Sequence, residues 1–209
     1  MSFFKVIHID SCAKVFLWKI TEDFDWLFRE TRLKDVSLAR LEGMKSKSHQ
    51  KGFLSVRMLL QHCGYSDFDL YYDQLGKPHL KDGTHISISH SFDFSAIVLS
   101  EKNIGLDIEQ VKEKVLRIAP RFMNVSHLEH LTEADQTKKA TVIWGIKEAI
   151  FKLKNEIGIS FPDHIFEDEF LLTDKKCNAQ LRFNNTVEHY KVCFEEIENY
   201  MLVCVLRAE

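Results

Sequence analysis

The sequence predicts an α+β fold built as two similar halves, each with helices packed on a small antiparallel sheet. Two kinds of segment support this prediction. Apolar residues at helical spacing occur in both halves, most clearly at 45–60 and 137–154, and short β-rich segments separated by turn residues follow them. We place the boundary near 105–111 and expect an N-terminal subdomain at 1–105 and a C-terminal subdomain at 106–209.

The composition is that of a folded domain. Hydrophobic residues make up 45% of the chain and charged residues 28%, which excludes disorder. The formal net charge of −3 argues against bulk binding of nucleic acid, which requires a basic domain. The N-terminus does not resemble a signal peptide and no apolar run approaches the length of a membrane span, so we expect a cytoplasmic protein without a membrane segment. The five cysteines include no Cys-x-x-Cys pair, which predicts buried free thiols.

The first half is predicted to combine helices with a small antiparallel meander. Thr21 is a candidate N-cap, while Gly64 and the turn at 76–78 end regular elements. The third helix begins with lysines and carries Arg57 among apolar residues, where a charged side chain either reaches solvent or meets a partner. The last three strands form the meander. The predicted elements are a strand at 3–9, helices at 22–33, 36–44 and 45–60, an extended piece at 69–73, and strands at 85–90, 94–100 and 104–109.

The second half is predicted to contain a basic helical region, one long helix and a run of short strands. Lys112, Lys114, Arg117 and Arg121 are interleaved with apolar residues, which indicates a partly exposed helical segment. The long helix covers 137–154 and has Ile146, Ile150 and Leu153 on its apolar face. The predicted strands lie at 168–173, 179–184, 187–194 and 200–206.

Three carboxylates and a lysine are predicted to converge. Asp107 and Glu109 are two apart in an alternating strand, so both side chains point to one face. Glu148 and Lys152 are four apart in the long helix and therefore also share a face. Clustered carboxylates without His or Cys partners suit a hard divalent cation such as Mg²⁺, which relieves their mutual repulsion. The pattern indicates phosphoryl or pyrophosphate chemistry without naming a substrate.

Each motif alone is common on solvated surfaces, and the order of the motifs adds specificity. Gly-x-Asp-x-Glu at 105–109 precedes Trp-x-x-Lys-Glu-Ala-x-x-Lys at 144–152, and Gly-Lys-Pro at 76–78 and Ser-His at 89–90 lie upstream. This ordered set closely resembles the Sfp-type 4′-phosphopantetheinyl transferases from the basic helix near residue 45 to about residue 162. The resemblance implies the 4′-phosphopantetheinyl transferase fold, a pseudo-twofold pair of subdomains. The N-terminal subdomain would be the coenzyme A side, and the C-terminal one would provide the metal site and carrier docking.

The resemblance also assigns site residues. By the match, Asp107, Glu109 and Glu148 are metal ligands for Mg²⁺, with Mn²⁺ as an alternative ion, and Asp107 also belongs to the coenzyme A contacts. Gly145 departs from the family, which usually has a small hydroxyl or thiol residue at this position. The other predicted coenzyme A contacts are Lys152 at the phosphates, Lys77 and Pro78 beside the adenine, Ser89 and His90 near the 3′-phosphate, and Lys51 and Arg57 in the basic helix.

The activity implied by the resemblance is transfer of the phosphopantetheinyl arm from coenzyme A to a serine of an apo acyl- or peptidyl-carrier protein, with release of 3′,5′-ADP. Glu148 and Lys152 are the expected catalytic residues. Glu148, directly or through a water, would accept the serine proton, with a metal-bound water as the alternative base, and Lys152 would stabilise the leaving side. Because carrier proteins are typically acidic, the basic segment at 112–125 is predicted to dock the carrier.

Two other functions stay open. A non-catalytic coenzyme A-binding or nucleotide-binding protein on the same scaffold is mildly favoured by Gly145. A different Mg²⁺-dependent phosphotransferase is disfavoured because the chain has no Gly-rich Walker-type loop. Two related halves in one chain could build the site at their own interface. We therefore expect a monomer, in contrast to the shorter, trimeric holo-acyl-carrier-protein synthases.

Overall fold

The computed structural model describes residues 3–208 as a mixture of helices and antiparallel strands. The chain divides into two compact units, one up to Lys102 and one from Asn103, a division just before the predicted boundary at 105–111. Each unit has its own helices and its own antiparallel sheet, so the predicted α+β class is confirmed. The terminal residues Met1, Ser2 and Glu209 of the two predicted subdomains lie outside the described residues.

The first unit alternates strands and helices. In chain order these are β1 (Phe3–His8), β2 (Ala13–Lys19), α1 (Phe24–Glu30), α2 (Asp35–Glu42), α3 (Lys47–His62), β3 (Leu70–Tyr72), β4 (Pro78–Leu80), β5 (His85–Ser91) and β6 (Phe94–Ser100). Among the described residues, one sheet has the order β1-β2-β6-β5, and β3 and β4 form a separate ladder. All of these pairings are antiparallel.

Local signals at the ends of elements explain where they begin and stop. Helix α1 begins after Asp23, whose carboxylate accepts a hydrogen bond from the Trp26 backbone N–H at 2.8 Å. The prediction of Thr21 as the N-cap is therefore wrong. Asp23, which directly precedes the helix, accepts from a backbone N–H group of the first turn. Gly64 and Gly76 have φ values of 85° and 84°, which glycine adopts without strain. The predicted helix stop and turn are confirmed at both positions.

Helix α3 supplies much of the first unit's core. Leu54 and Leu59 are fully buried on it, and Arg57, between them in sequence, is only 2% exposed. Arg57 Nε lies 3.0 Å from Asp67 Oδ1, and the guanidinium stacks 3.4 Å from the Phe53 ring centroid. The arginine therefore meets a partner rather than solvent, as a buried charge requires.

The second unit is a sheet covered by one long helix. In chain order its elements are β7 (Ile104–Gln110), α4 (Lys114–Ile118), α5 (Glu133–Lys154), α6 (Phe161–His164), β8 (Ile165–Glu167), β9 (Lys176–Phe183), β10 (Thr186–Ile197) and β11 (Tyr200–Arg207), with 3₁₀ turns at Ala119–Arg121, Val125–Leu128 and Leu172–Asp174. The sheet has the order β7-β11-β10-β9-β8 within the described residues, and all of its pairings are antiparallel.

The last strand of the predicted meander belongs to the second sheet. Strands β5 and β6 pair as predicted, but β7 pairs with β11, with Asp107 opposite Val203. The prediction that residues 104–109 form the last strand of the first meander is therefore wrong. Alternation of side chains determines which residues share a face of a strand, but it does not determine which other strand it pairs with.

One predicted strand of the second half is also misplaced. The strand predicted at 168–173 is replaced by β8, which ends at Glu167, and by the 3₁₀ turn at Leu172–Asp174. The carboxylate of Asp174 accepts a hydrogen bond from the Leu171 backbone N–H at 3.0 Å. An acidic residue that bonds nearby backbone in this way stabilises a turn at the expense of an extended strand.

Helix α5 is the main packing element of the second unit. It begins after Thr132, whose hydroxyl accepts from the Asp135 backbone N–H at 3.2 Å. Ile146, Ile150 and Leu153 are buried, which confirms the predicted apolar face. Within the described part of the chain none of the helices, α5 included, combines the length and apolar character that a membrane crossing requires.

The cysteines are free thiols, as predicted. Cys204 is buried, while Cys12, Cys63, Cys177 and Cys193 are partly buried, so full burial holds only for Cys204. Burial raises the pKa of both Cys63 and Cys177 to about 12. These thiols are protonated near neutral pH and are poor metal ligands or nucleophiles.

Candidate active site

The acidic strand lies directly under helix α5. Gly105, Asp107 and Glu109 alternate along β7 and share the face that α5 covers. A Cβ added to Gly105 would overlap the backbone carbonyl oxygen of Ala149 on α5. Only glycine permits this approach, so the first residue of the acidic motif determines how closely the helix lies to the carboxylates.

A second glycine makes the approach possible from the helix. A Cβ added to Gly145 would lie 2.7 Å from Val203 Cγ2 and 3.6 Å from Asp107 Oδ2. Val203 is opposite Asp107 in the β7–β11 ladder, so both side chains point to the helix side of the sheet. The departure at Gly145 is therefore matched by the branched side chain of Val203, which occupies the space that a larger helix residue would need.

Lys152 closes the contact between helix and strand. Its Nζ donates to Asp107 Oδ1 at 2.6 Å and to the backbone carbonyl oxygen of Leu106 at 3.2 Å. The Asp107 side chain is 3% exposed and that of Lys152 is 30% exposed, so the carboxylate is buried while the lysine side chain is partly open to solvent. This charge-assisted contact joins the two motifs that the sequence predicted to converge.

Glu148 is electrostatically coupled to the strand. Its pKa is raised to about 6, first by burial and then by the negative charge of Asp107 and, to a smaller extent, of Glu109, while the positive charge of Lys152 opposes the shift. The three carboxylates act on one another, as predicted from the strand and helix spacings. A carboxylate whose pKa lies near neutrality can exchange protons at physiological pH.

The chemistry of these donors can be compared with what Mg²⁺ requires. Asp107, Glu109 and Glu148 provide only carboxylate oxygens, the ligands that Mg²⁺ prefers, and their mutual repulsion is the kind that a cation relieves. Among residues 3–208 no group of three or more His, Cys, Asp or Glu side chains is already arranged to hold a metal ion. The donor set fits Mg²⁺ by its chemistry, and the metal site stays a prediction.

The other side of α5 carries a second buried ion pair. Lys147 Nζ lies 2.5 Å from Glu167 Oε2 and donates to the Ile165 backbone carbonyl oxygen at 2.5 Å. Burial lowers the pKa of Lys147, and the charge of Glu167 opposes the shift. His127 Nδ1 lies 3.3 Å from Glu167 Oε1. Sequence reasoning missed Glu167 and His127, because nothing in their local sequence distinguishes them from ordinary surface residues.

The predicted coenzyme A contacts of the first unit include a group near the start of α3. A Cβ added to Gly52 would lie 3.1 Å from the His90 ring, so this ring packs on the helix backbone. The His49 ring centroid lies 6.0 Å from that of His90. His90 is exposed, Lys51 is half-buried and Ser89 is buried. The structure thus places His90 beside the helix that carries Lys51, at the surface of this unit.

Lys77 and Pro78 lie in a turn that Asp73 organises. The carboxylate oxygen Oδ1 of Asp73 accepts hydrogen bonds from the backbone N–H groups of Leu75 and Lys77, each at 2.9 Å. Its Oδ2 lies 3.1 Å from His79 Nε2, and this contact, followed by the bond from Lys77, lowers the pKa of Asp73. Sequence reasoning missed Asp73. Its position just before a Gly-Lys-Pro turn is the kind of signal that could have identified it.

Arg57 does not fit its predicted role. Its side chain is 3% exposed and is held by Asp67, with a further bond from Nη1 to the Phe53 backbone carbonyl oxygen at 3.2 Å. Asp67 also accepts from the Ser37 hydroxyl at 3.0 Å. Removal of either partner would leave a buried charge uncompensated, so this guanidinium is committed to the interior of the first unit, and we withdraw Arg57 from the coenzyme A contacts.

The predicted docking segment is basic but less apolar than expected. Lys112, Lys114, Arg117 and Arg121 are exposed on and around α4. The apolar residues that follow divide: Phe122 and Met123 are buried in the second unit's core, and Val125 is 48% exposed.

Comparisons with known proteins point to one family. Residues 103–205 match the 4′-phosphopantetheinyl transferase superfamily. The 4′-phosphopantetheinyl transferase Sfp of Bacillus subtilis (strain 168) is 30% identical over 102 residues, 46% of this chain and 45% of that protein. The 4′-phosphopantetheinyl transferase psf-1 of Bacillus pumilus is 28% identical over 116 residues, 50% of this chain and 49% of that protein.

A third relative aligns over a longer stretch. The 4′-phosphopantetheinyl transferase ffp of Bacillus subtilis is 28% identical over 156 residues, 69% of this chain and 66% of that protein. The matches to Sfp and psf-1 span about half the length of each of those two proteins. The family match at 103–205 includes the acidic strand and the helix motif, the two segments that the structure brings together.

Proposed function

We infer that the chain belongs to the 4′-phosphopantetheinyl transferase superfamily, which its motifs resemble and which residues 103–205 match, and we propose that it modifies carrier proteins. The proposed reaction transfers the 4′-phosphopantetheinyl arm of coenzyme A to a serine of an apo acyl- or peptidyl-carrier protein. The serine oxygen forms a bond to the β-phosphorus, the pyrophosphate bond breaks, and 3′,5′-ADP leaves. The observation that carries the proposal is the contact of Lys152 with Asp107 beside Glu148.

The residues of the second unit can be given roles in this reaction. Asp107, Glu109 and Glu148 would hold Mg²⁺, which when bound would neutralise the pyrophosphate charge. Glu148, directly or through a water, would accept the serine proton, with a metal-bound water as the alternative base. Lys152, whose side chain is partly open to solvent, would stabilise the charge that develops on the leaving phosphate.

The coenzyme A contacts proposed for the first unit follow the family match without Arg57. Lys51, Ser89 and His90 would bind the 3′-phosphate, and Lys77 with Pro78 would lie against the adenine and its ribose. The exposed imidazole of His90 and the half-buried ammonium of Lys51 offer N–H donors of the kind that bind a phosphate group. A monomeric state and a cytoplasmic location remain predictions, and sedimentation that found an obligate trimer would contradict the first.

The basic segment at Lys112, Lys114, Arg117 and Arg121 is proposed to dock an acidic carrier protein. Charge complementarity of exposed side chains mainly governs encounter and salt dependence. We expect Arg117→Glu with Arg121→Glu to raise the carrier KM about tenfold at low salt with little change in kcat. Arg207→Glu, at an exposed site on β11, is the matched control. An unchanged carrier KM in the double variant would remove the docking proposal.

The test of the reaction is direct. The protein is incubated with coenzyme A, Mg²⁺ and several apo-carriers, and mass spectrometry looks for the phosphopantetheine mass on the carrier serine. Glu148→Gln should lower the rate at least about a hundredfold, because it removes both a proposed metal ligand and a proposed base. A Glu148→Gln variant with full activity would contradict the proposed site.

The alternative is a non-catalytic coenzyme A-binding protein on the same scaffold. Gly145 was the feature that favoured it, and the fit of Gly145 against Val203 now accounts for that residue by packing. Binding of coenzyme A without transfer to any carrier would favour this alternative over catalysis.

A further inference from the structure

Glu167 lies outside the predicted motifs, yet its carboxylate joins two other elements of the second unit. It belongs to β8, and its Oε2 pairs with Lys147 of α5 at 2.5 Å. Its Oε1 lies 3.3 Å from Nδ1 of His127, which belongs to the 3₁₀ turn Val125–Leu128. The Lys147 and Glu167 side chains are 2% and 3% exposed, so this is an interior contact rather than a surface ion pair.

We propose that Glu167 is a positioning residue for the active site: by holding Lys147 it sets the rotation of α5 about its axis and so the orientation of Glu148. Adjacent helix residues are separated by about 100° around the axis, so a helix held at Lys147 has little freedom to turn at Glu148. This inference rests on the proposed function, because it assigns Glu167 a role toward the same carboxylate.

The packing on the strand side explains why such a contact is needed. Where α5 crosses β7 and β11, the helix presents Gly145 and Ala149 and the strand presents Gly105. At this crossing the small residues allow close approach and provide few interlocking side chains of their own, while Ile146 and Ile150 of the same helix are buried in the core. Lys147 reaches β8 on the other side of the helix, with two bonds from one ammonium, to Glu167 and to the Ile165 carbonyl oxygen.

His127 extends the same contact toward the basic segment. The turn that carries it begins at Val125, which is exposed, and follows the segment proposed to dock the carrier. Glu167 therefore contacts both the turn after the docking segment and the helix that holds Glu148. Groups that orient a functional side chain through one intermediate residue often change its metal affinity or activity when they are altered.

The test removes the contact without leaving a buried charge. Glu167→Gln alone leaves Lys147 buried without a counter-ion and is expected to destabilise the fold, so the main variant is the double substitution Lys147→Met with Glu167→Met. The matched control is Glu196→Gln, which removes a partly exposed ion pair to Lys138 near the start of the same helix, at 2.8 Å. For each variant, thermal unfolding, Mn²⁺ binding by electron paramagnetic resonance, and kcat and KM for coenzyme A are measured.

A positioning role predicts a specific pattern. The double variant should unfold near the wild-type temperature, bind Mn²⁺ about tenfold more weakly and lose about tenfold in kcat, while KM for coenzyme A changes less than about twofold. Glu196→Gln should match the wild type in every measurement.

Two results would overturn the inference: a folded double variant with wild-type Mn²⁺ affinity and kcat, or equal losses in Glu196→Gln. Failure of the proposed function is seen separately. In that case the wild-type protein itself transfers no phosphopantetheine to any carrier, while the Mn²⁺ measurement still compares the variants.

Discussion

The two sides of helix α5 hold the same kind of contact in different surroundings. Lys147 and Glu167 are 2% and 3% exposed, whereas Lys152, which pairs with the equally buried Asp107, is 30% exposed. On the first side, one cation faces the carboxylate of Glu167 in the interior. On the second side, one cation faces Asp107 while Glu148 and Glu109 add further negative charge. Exposure and charge balance distinguish a contact that holds the fold from one that can meet a ligand.

The difference has a thermodynamic meaning. A buried pair of balanced charge is stable only while both partners are present, and removal of one leaves a desolvated charge. A cluster with excess negative charge is instead stabilised by any added cation that binds the folded state. The two sides of α5 should therefore respond differently to substitution and to Mg²⁺.

The largest expected effect compares Lys147→Met with Lys152→Ala. Lys147→Met should lower the free energy of unfolding by about 3–5 kcal/mol, because Glu167 stays buried without a partner, and Mg²⁺ should not restore it. Lys152→Ala should lower the transfer rate about a hundredfold, and saturating Mg²⁺ should recover most of any lost stability. Denaturant unfolding with Mg²⁺ or EDTA, together with transfer kinetics, measures both.

Lys138→Met serves as the control for both variants, since its pair with Glu196 is partly exposed and such a pair contributes little to stability. If Mg²⁺ restores the stability of Lys147→Met as fully as that of Lys152→Ala, the two contacts share one role and the distinction between the two sides of α5 is wrong.

A smaller effect compares the two glycines that bring the helix to the strand. Gly105→Ala should cost roughly 1–3 kcal/mol of folding stability, since its Cβ meets the Ala149 backbone, which cannot move aside cheaply. Gly145→Ala meets only the Val203 side chain and gains about 1 kcal/mol of helix propensity, so its net effect should be smaller.

Thermal unfolding measures both glycine variants. Val203→Ala combined with Gly145→Ala should be more stable than the sum of the single changes predicts, because the smaller side chain makes room for the new Cβ. Strict additivity of the two changes would show that Gly145 and Val203 are not matched.

The smallest expected effect concerns the pH dependence of Glu148. Its pKa is raised from its ordinary value of 4.5 to about 6 in the folded chain, so the folded state binds the proton more tightly and stability falls as pH rises through this interval. In metal-free protein, Glu148→Gln should therefore be more stable than wild type by about 1–2 kcal/mol at pH above about 7, after allowance for partial solvent screening.

That advantage should disappear as the pH falls below about 4.5, and Mg²⁺ should reduce it at neutral pH. Chemical denaturation at a series of pH values, with and without Mg²⁺, measures the difference. A Glu148→Gln variant less stable than wild type at neutral pH would mean that the carboxylate is not repelled by its neighbours.

The convergence of the acidic strand and the helix motif could be predicted from the sequence because the spacing within each motif is local. A spacing of two residues in a strand places Asp107 and Glu109 on one face, and a spacing of four in a helix places Glu148 and Lys152 on one face. Both hold whatever the elements pack against. The contact of Lys152 with Asp107 follows from these faces once helix and strand meet. The apolar face of α5 was predictable for the same reason.

What lay beyond prediction depends on residues distant in sequence. Strand β7 follows β6 after a short turn, as a third meander strand would, yet it pairs with β11. From the sequence, the Arg57 side chain could either reach solvent or meet a partner, and the structure shows it paired with Asp67. Lys147 and Lys152 belong to one motif, and only the position of Glu167 on β8 separates a buried contact from an accessible one.

The α+β class, the resemblance to the transferase family, and the side chains that share a face at the acidic strand and at the helix were all readable from the sequence. These follow from covalent geometry and from the order of short motifs. The tertiary structure alone decided that β7 joins the second sheet, that Gly145 is matched by Val203, and that Glu167 holds Lys147. Backbone periodicity specifies the direction of a side chain, whereas its partner is chosen by packing among segments that are far apart in the chain.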